Sequence, residues 1–115
     1  LANSIKKVCN YLNIETELIV SSTLYKDNSL KSQAKVIEIC KELKATEYYN
    51  AIGGQELYSY EDFKDVDIKL SFLKSNEIKY KQLKDEFVAN LSILDVLMFN
   101  SINDVRNFLN QYELI

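Results

Sequence analysis

A chain of 115 residues with 47% hydrophobic, 27% charged and 11% aromatic side chains is long enough for one core and has the composition of an ordered globular domain. Its formal net charge is −3, with 14 basic residues scattered among 17 acidic ones, so the basic stripe of a nucleic-acid binder is missing and no nucleic-acid partner is expected. No run approaches the roughly 18 apolar residues of a membrane span, and the N-terminus lacks the layout of a signal peptide; the expectation is a single domain over residues 1–115, soluble and cytoplasmic, with no transmembrane segment.

In chain order, Ile5, Val8, Cys9 and Leu12 recur at the spacing of one buried helical face, predicting a helix over residues 4–12 capped by Asn3 or Ser4. Residues 16–22, Thr-Glu-Leu-Ile-Val-Ser-Ser, are apolar and β-branched at the centre and read as a buried strand. Residues 23–31 are polar and irregular. Ala34, Val36, Ile37, Ile39, Cys40 and Leu43 then give a helix with a wide apolar face, suited to lying on a sheet and ending near Lys44.

Residues 46–50 form the second predicted strand, followed directly by Asn50-Ala51-Ile52-Gly53-Gly54-Gln55-Glu56-Leu57-Tyr58, which holds both glycines of the chain. So rare a residue, twice in succession, marks backbone that needs positive φ or a close approach. The place, after a strand and before a helix, is where open α/β sheets put ligands. Ser59 to Asp62 has the form of a capping box and starts a short helix through Phe63 and Lys64. Residues 67–73, Asp-Ile-Lys-Leu-Ser-Phe-Leu, read as the third strand.

Residues 74–89 show no period and read as an extended loop anchored by Ile78, Tyr80, Leu83 and Phe87. Its basic run, Lys79 to Lys84, is balanced at once by Asp85 and Glu86 and reads as a solvated face. Ser92 to Asp95 and Ser101 to Asp104 repeat the capping signal. The first leads into Val96-Leu97-Met98-Phe99, apolar nearly all round and so expected to be buried on more than one side. The second leads into a last helix with Val105, Phe108, Leu109 and Tyr112 on its stripe. Strands separated by helices predict an α/β fold: a three-stranded, mostly parallel open sheet flanked by helices, with two C-terminal helices.

Cys9 and Cys40 are the only cysteines and histidine is absent, which excludes the usual zinc sites and a His-based triad; no metal is expected. Both cysteines fall on apolar helical stripes and read as buried free thiols.

The strings S-I-K-K-V-C-N-Y-L from Ser4, I-C-K-E-L-K-A-T-E-Y-Y-N from Ile39, I-G-G-Q-E-L-Y from Ile52 and F-V-A-N-L-S-I-L-D-V-L-M-F-N from Phe87, together with Ser21-Ser22 and the Tyr112 to Ile115 tail, occur in one order. In these the chain resembles the C-terminal half of the WbqC-like proteins. The family usually has proline after the loop asparagine, where this chain has Ala51. Its N-terminal half, opening Met-Gln-Pro-Tyr, has no counterpart, and the chain begins at Leu1, so the expectation is a piece of a larger protein lacking that half. The resemblance implies bacterial surface-polysaccharide work, notably O-antigen (lipopolysaccharide) synthesis, with transfer of a group onto a sugar or sugar nucleotide. It names no cofactor.

Gly53 and Gly54 could present consecutive backbone N–H groups, joined by those of the helix start at Ser59, to a phosphate or carboxylate; the alternative is a plain glycine turn. Asn50, Gln55 and Tyr58 offer amides and a phenol for sugar hydroxyls, and Glu56 is the one carboxylate able to act as catalytic general base, or else a solvated side chain. Tyr80 could stack on a sugar, or anchor the core. Asn90 could bind ligand or, like Asn100, fasten a loop, and Asp95 is explained by the Ser92 capping box. The partner expected at the glycine loop is a sugar nucleotide or other anionic small molecule. Apolar surface uncovered by an absent half would favour a homodimer. Two classes remain open: a transferase as the whole protein, or a non-catalytic ligand-binding or interaction domain.

Overall fold

The computed structural model describes residues 1–115. Its elements are helix α1 (Ala2–Tyr11), a 3-10 turn (Ser21–Thr23), helix α2 (Ser32–Glu42), strand β1 (Glu47–Ala51), a 3-10 helix (Ile52–Leu57), helix α3 (Tyr60–Lys64), strand β2 (Lys69–Ser75), helices α4 (Ile93–Phe99) and α5 (Ile102–Phe108), and strand β3 (Tyr112–Leu114). They form two compact units, one of residues 1–18 and 75–112, the other of residues 19–74 and 113–115. The fold is mixed α/β with a three-stranded sheet in the order β1-β2-β3. No helix is long and apolar enough to cross a membrane.

β1 and β2 pair in parallel, Glu47 opposite Lys69 through Ala51 opposite Leu73. The first strand expected from sequence, residues 16–22, is not in the sheet. Residues 16–22 make no ladder and end in the 3-10 turn, with Ile19 and Val20 exposed. The free edge of β2 is occupied instead by the chain's last residues. Phe72 and Ile115 exchange both backbone hydrogen bonds, 2.7 and 2.9 Å, the signature of an antiparallel pair. The sheet is therefore mixed. β-Branched composition fits residues 16–22 for an extended backbone, but strand propensity is overridden by context, and the edge of β2 is paired with the chain's last residues. Tyr112, expected on a helical stripe, begins β3, because α5 stops at Phe108 with Leu109 as its cap.

In the unit of residues 19–74 and 113–115, the buried core is Cys40, Phe63, Ile68, Leu70 and Phe72, with Val36, Ile37, Tyr48, Ile52 and Tyr58 packed against it. Leu70, Ser71 and Phe72 are consecutive and all buried, as befits a central strand covered on both faces. In the other unit Leu12 and Val105 are the fully buried residues, and Arg106 Nη1 donates to the carbonyls of Leu12 and Asn13, tying α5 to the end of α1. α4 departs from its expectation of burial: none of its residues is buried, and Leu94 and Met98, one turn apart, are 60% and 80% exposed.

Three helices end in Schellman motifs, which close the helix with a left-handed residue. Asn13, Lys44 and Asp67 have φ of 53, 52 and 57°, and the following N–H groups of Ile14, Ala45 and Ile68 reach back to the carbonyls of Cys9, Cys40 and Phe63. The positions where glycine is ordinarily preferred are thus filled without it.

Candidate functional site

The glycine pair serves a different purpose. Neither glycine has positive φ, which corrects the first of the two reasons read from sequence. The second holds for Gly54: a Cβ there would lie 2.9 Å from Asn50 Nδ2 and 3.2 Å from Asn50 Cγ, whereas a Cβ on Gly53 meets nothing within 4 Å. The Asn50 amide, leaving the end of β1 half-buried, folds over Gly54 while its Oδ1 accepts the Ala51 N–H at 2.7 Å. The loop is a 3-10 helix built under an asparagine side chain. It lacks the left-handed residue that gives a backbone nest its concavity.

The substitutions should therefore behave oppositely. Gly54→Ala forces Asn50 aside and is expected to cost about 1 kcal/mol, while Gly53→Ala should be neutral or stabilising by about 0.4–1 kcal/mol through the unfolded state. Thermal melts of both, with Asn50→Ala restoring the Gly54→Ala variant, check this.

Gln55 and Glu56 are exposed on the loop and Tyr58 is half-buried. The Tyr58 ring packs 6.0 Å from Tyr48 and 6.1 Å from Phe63, and Tyr48 stacks on Phe63 at 5.4 Å with 7° between planes. Burial, then the neighbouring Tyr58 phenol and Cys40 thiol, push the Tyr48 phenol up to about 12. An unfolded tyrosine titrates near 10, so folded Tyr48 keeps its proton where the unfolded chain has lost it. Its contribution is complete below about pH 10 and fades as pH rises toward 12; screening of a half-buried group reduces it to roughly 1 kcal/mol. Tyr48→Phe is expected to flatten the loss of stability between about pH 10 and 12, read by urea unfolding.

Beyond the loop, Ser59 caps α3 by accepting from Asp62 N. Two of the donors expected there for a ligand are occupied, the Asp62 N–H by Ser59 Oγ and the Ser59 N–H by Gln33 Oε1 at 2.6 Å, and Gln33 Nε2 reaches Asp62 Oδ2 at 2.5 Å. Gln33, on the first turn of α2, thus fixes where the loop ends. Sequence reading passed over it, since a lone glutamine gives no periodic or motif signal.

Tyr80 and Asn90 belong to the unit of residues 1–18 and 75–112. The Tyr80 hydroxyl donates to Asp95 Oδ2 at 2.5 Å, and its ring lies edge-on to Phe87 at 5.3 Å. The bond to Asp95, then burial, raises the Tyr80 pKa. Gln82 Nε2 donates to the same Asp95 oxygen, and its amide exchanges two bonds with the Val88 backbone. Asp95 thus fastens the long loop, and the Ser92 hydroxyl accepts from Leu94 N; the capping box is not what engages the carboxylate. Asn90 is exposed with φ 58°, and Asn100 fastens the end of α4 by donating to Val96 O.

The profile of the WbqC-like protein family matches residues 1–107. The chain belongs to this family. No curated protein and no solved structure matches it. Where WbqC-like proteins usually carry proline, Ala51 has φ −67°, the angle a proline ring imposes. Alanine keeps that backbone and adds the N–H that Asn50 accepts.

The Ser21-Ser22 string shared with the WbqC-like proteins lines a cleft of about 570 Å³ between the 3-10 turn and α2. This cleft was not foreseen, because residues 23–31 read as irregular; lysines at 26 and 35 flanking a polar segment were the available signal. Of the thiols, Cys9 is half-buried and Cys40 is buried; burial pushes the Cys40 pKa up, the opposite of what activates a nucleophilic thiol.

Proposed function

We propose that this WbqC-like chain serves bacterial surface-polysaccharide (O-antigen) synthesis in the cytoplasm, as part of a transferase acting on a sugar or sugar nucleotide. The family match over residues 1–107 carries this reading. The Asn50 to Tyr58 loop contacts the sugar: Gln55 and Glu56, both exposed, meet its hydroxyls, and Glu56 takes a hydroxyl proton as general base. Tyr80 and Asn90 lie in the other unit and are proposed as ligand contacts of that unit by itself. Transfer from a nucleotide sugar, followed by nucleoside diphosphate release, tests it. Glu56→Gln is expected to lose about 100-fold or more in rate with ligand binding retained; full activity in that variant ends the general-base role.

A second reading, a non-catalytic interaction domain, is favoured by a specific observation. Leu94 and Met98 present an apolar face, 60% and 80% exposed, of the kind that other protein surfaces cover. Such a face suits a second copy of the chain in a homodimer. Sedimentation of the wild type and of Met98→Glu separates the two readings: a dimer dissolved by the substitution supports the interaction domain, and a monomer in both removes the homodimer.

A further inference from the structure

The cleft beside α2 has the chemistry of an anion site distinct from the glycine loop. Its volume of about 570 Å³ lies in the range of small-molecule sites. Lys26 and Lys35 line it, together with Ser21, Ser22, Asn28 and Ser32, and no carboxylate does. Two cations without an acidic partner stand out in a chain whose net charge is −3.

The walls are held in place by the surrounding carboxylates, which are engaged elsewhere. Both Glu38 oxygens accept the Asp27 N–H, at 3.0 and 2.9 Å, pinning the segment after the turn onto α2. Asp27 Oδ1 accepts the Ser29 N–H and hydroxyl. The Lys26 ammonium donates to the carbonyls of Ser21 and Leu24; with three donors, it retains one beyond those two bonds. Leu24, Val36 and Ile39 add apolar lining. A site with an anchored cation at Lys26, a second cation at Lys35, and hydroxyls and an amide around an apolar floor suits a charged oxyanion attached to a less polar body.

We propose that this cleft binds the phosphate of a phosphorylated small molecule, with Lys26 and Lys35 as the charge partners, the Ser21, Ser22 and Asn28 side chains as hydrogen-bond donors, and the organic part over Leu24, Val36 and Ile39. The site does not depend on the role given to the Asn50 to Tyr58 loop.

Calorimetric titration with inorganic pyrophosphate and with uridine diphosphate tests it, paired with backbone-amide NMR. Both ligands are expected to saturate, uridine diphosphate more tightly, with amide shifts concentrated in residues 21–39. Lys35→Gln, which removes no backbone contact of the turn, should weaken both by about tenfold, and Glu56→Gln should leave both unchanged. Absence of saturable binding, unchanged affinity in Lys35→Gln, or shifts confined to residues 50–58 would each overturn the assignment. Equal affinity for the two ligands would remove the apolar floor from it.

Discussion

Phe63→Ala is expected to destabilise the protein by about 3–5 kcal/mol, the largest effect of any substitution considered. Phe63 is fully buried, at 0% exposure, stacks on Tyr48 and lies tilted by 59° against Tyr58. Its carbonyl also closes the Schellman motif through Ile68 N. Truncation leaves a cavity in the core, and two of the rings of that core, Tyr48 and Phe72, are held in the sheet and cannot readily collapse into it. Domains of this size are stable by about 5–15 kcal/mol, so the variant should be close to unfolding at 37 °C. Because Tyr58 loses one of its two ring partners, ligand binding at the glycine loop should fall even where the fold survives in the cold. Urea unfolding at low temperature measures the first effect. A Phe63→Leu variant that costs markedly less would confirm that volume is the cause.

Asp95→Ala is expected to cost about 2–3 kcal/mol. The carboxylate accepts from the Tyr80 hydroxyl and from Gln82 Nε2, and its removal strands both donors in a half-buried place. Gln82 in turn makes two bonds with the Val88 backbone, so the whole stretch from Tyr80 to Val88 should loosen together. Amide exchange should quicken at Val88, whose N–H Gln82 holds. A double-mutant cycle with Tyr80→Phe should recover a coupling of about 1 kcal/mol or more. Additive effects of the two substitutions would mean that the contact is incidental.

How much of this was legible in the sequence depends on whether the deciding interaction was local. The Ser59 and Ser101 caps, the C-terminal ends of α1 and α2 and the burial of Cys40 follow from patterns a few residues long, and they hold; the start of α1 does not, since the helix begins at Ala2 with Leu1 as its N-cap and neither Asn3 nor Ser4 caps it. Strand β3 was missed because Tyr112 to Ile115 has no signal of its own and becomes a strand only by pairing with Phe72. Residues 16–22 carry the stronger strand composition yet find no partner. Asp95 has a capping-box spacing, but Tyr80 and Gln82, 15 and 13 residues earlier, claim it instead. The glycine pair marked a real backbone constraint for one of the two reasons read from it. Its scarcity signalled a constraint, and the constraint is Asn50 lying against Gly54, not an unusual backbone angle. The helix ends show why the inference from φ failed: Asn13, Lys44 and Asp67 take the left-handed positions that glycine would ordinarily hold.

The claim that the Asn50 to Tyr58 loop contacts a sugar nucleotide is tested most directly by following backbone amides during titration with a nucleotide sugar. The account predicts saturable shifts at Gly53, Gly54, Gln55 and Glu56, diminished in Gly54→Ala, where Asn50 is displaced. Shifts absent from residues 50–58, or confined to the cleft of residues 21–39, would contradict it.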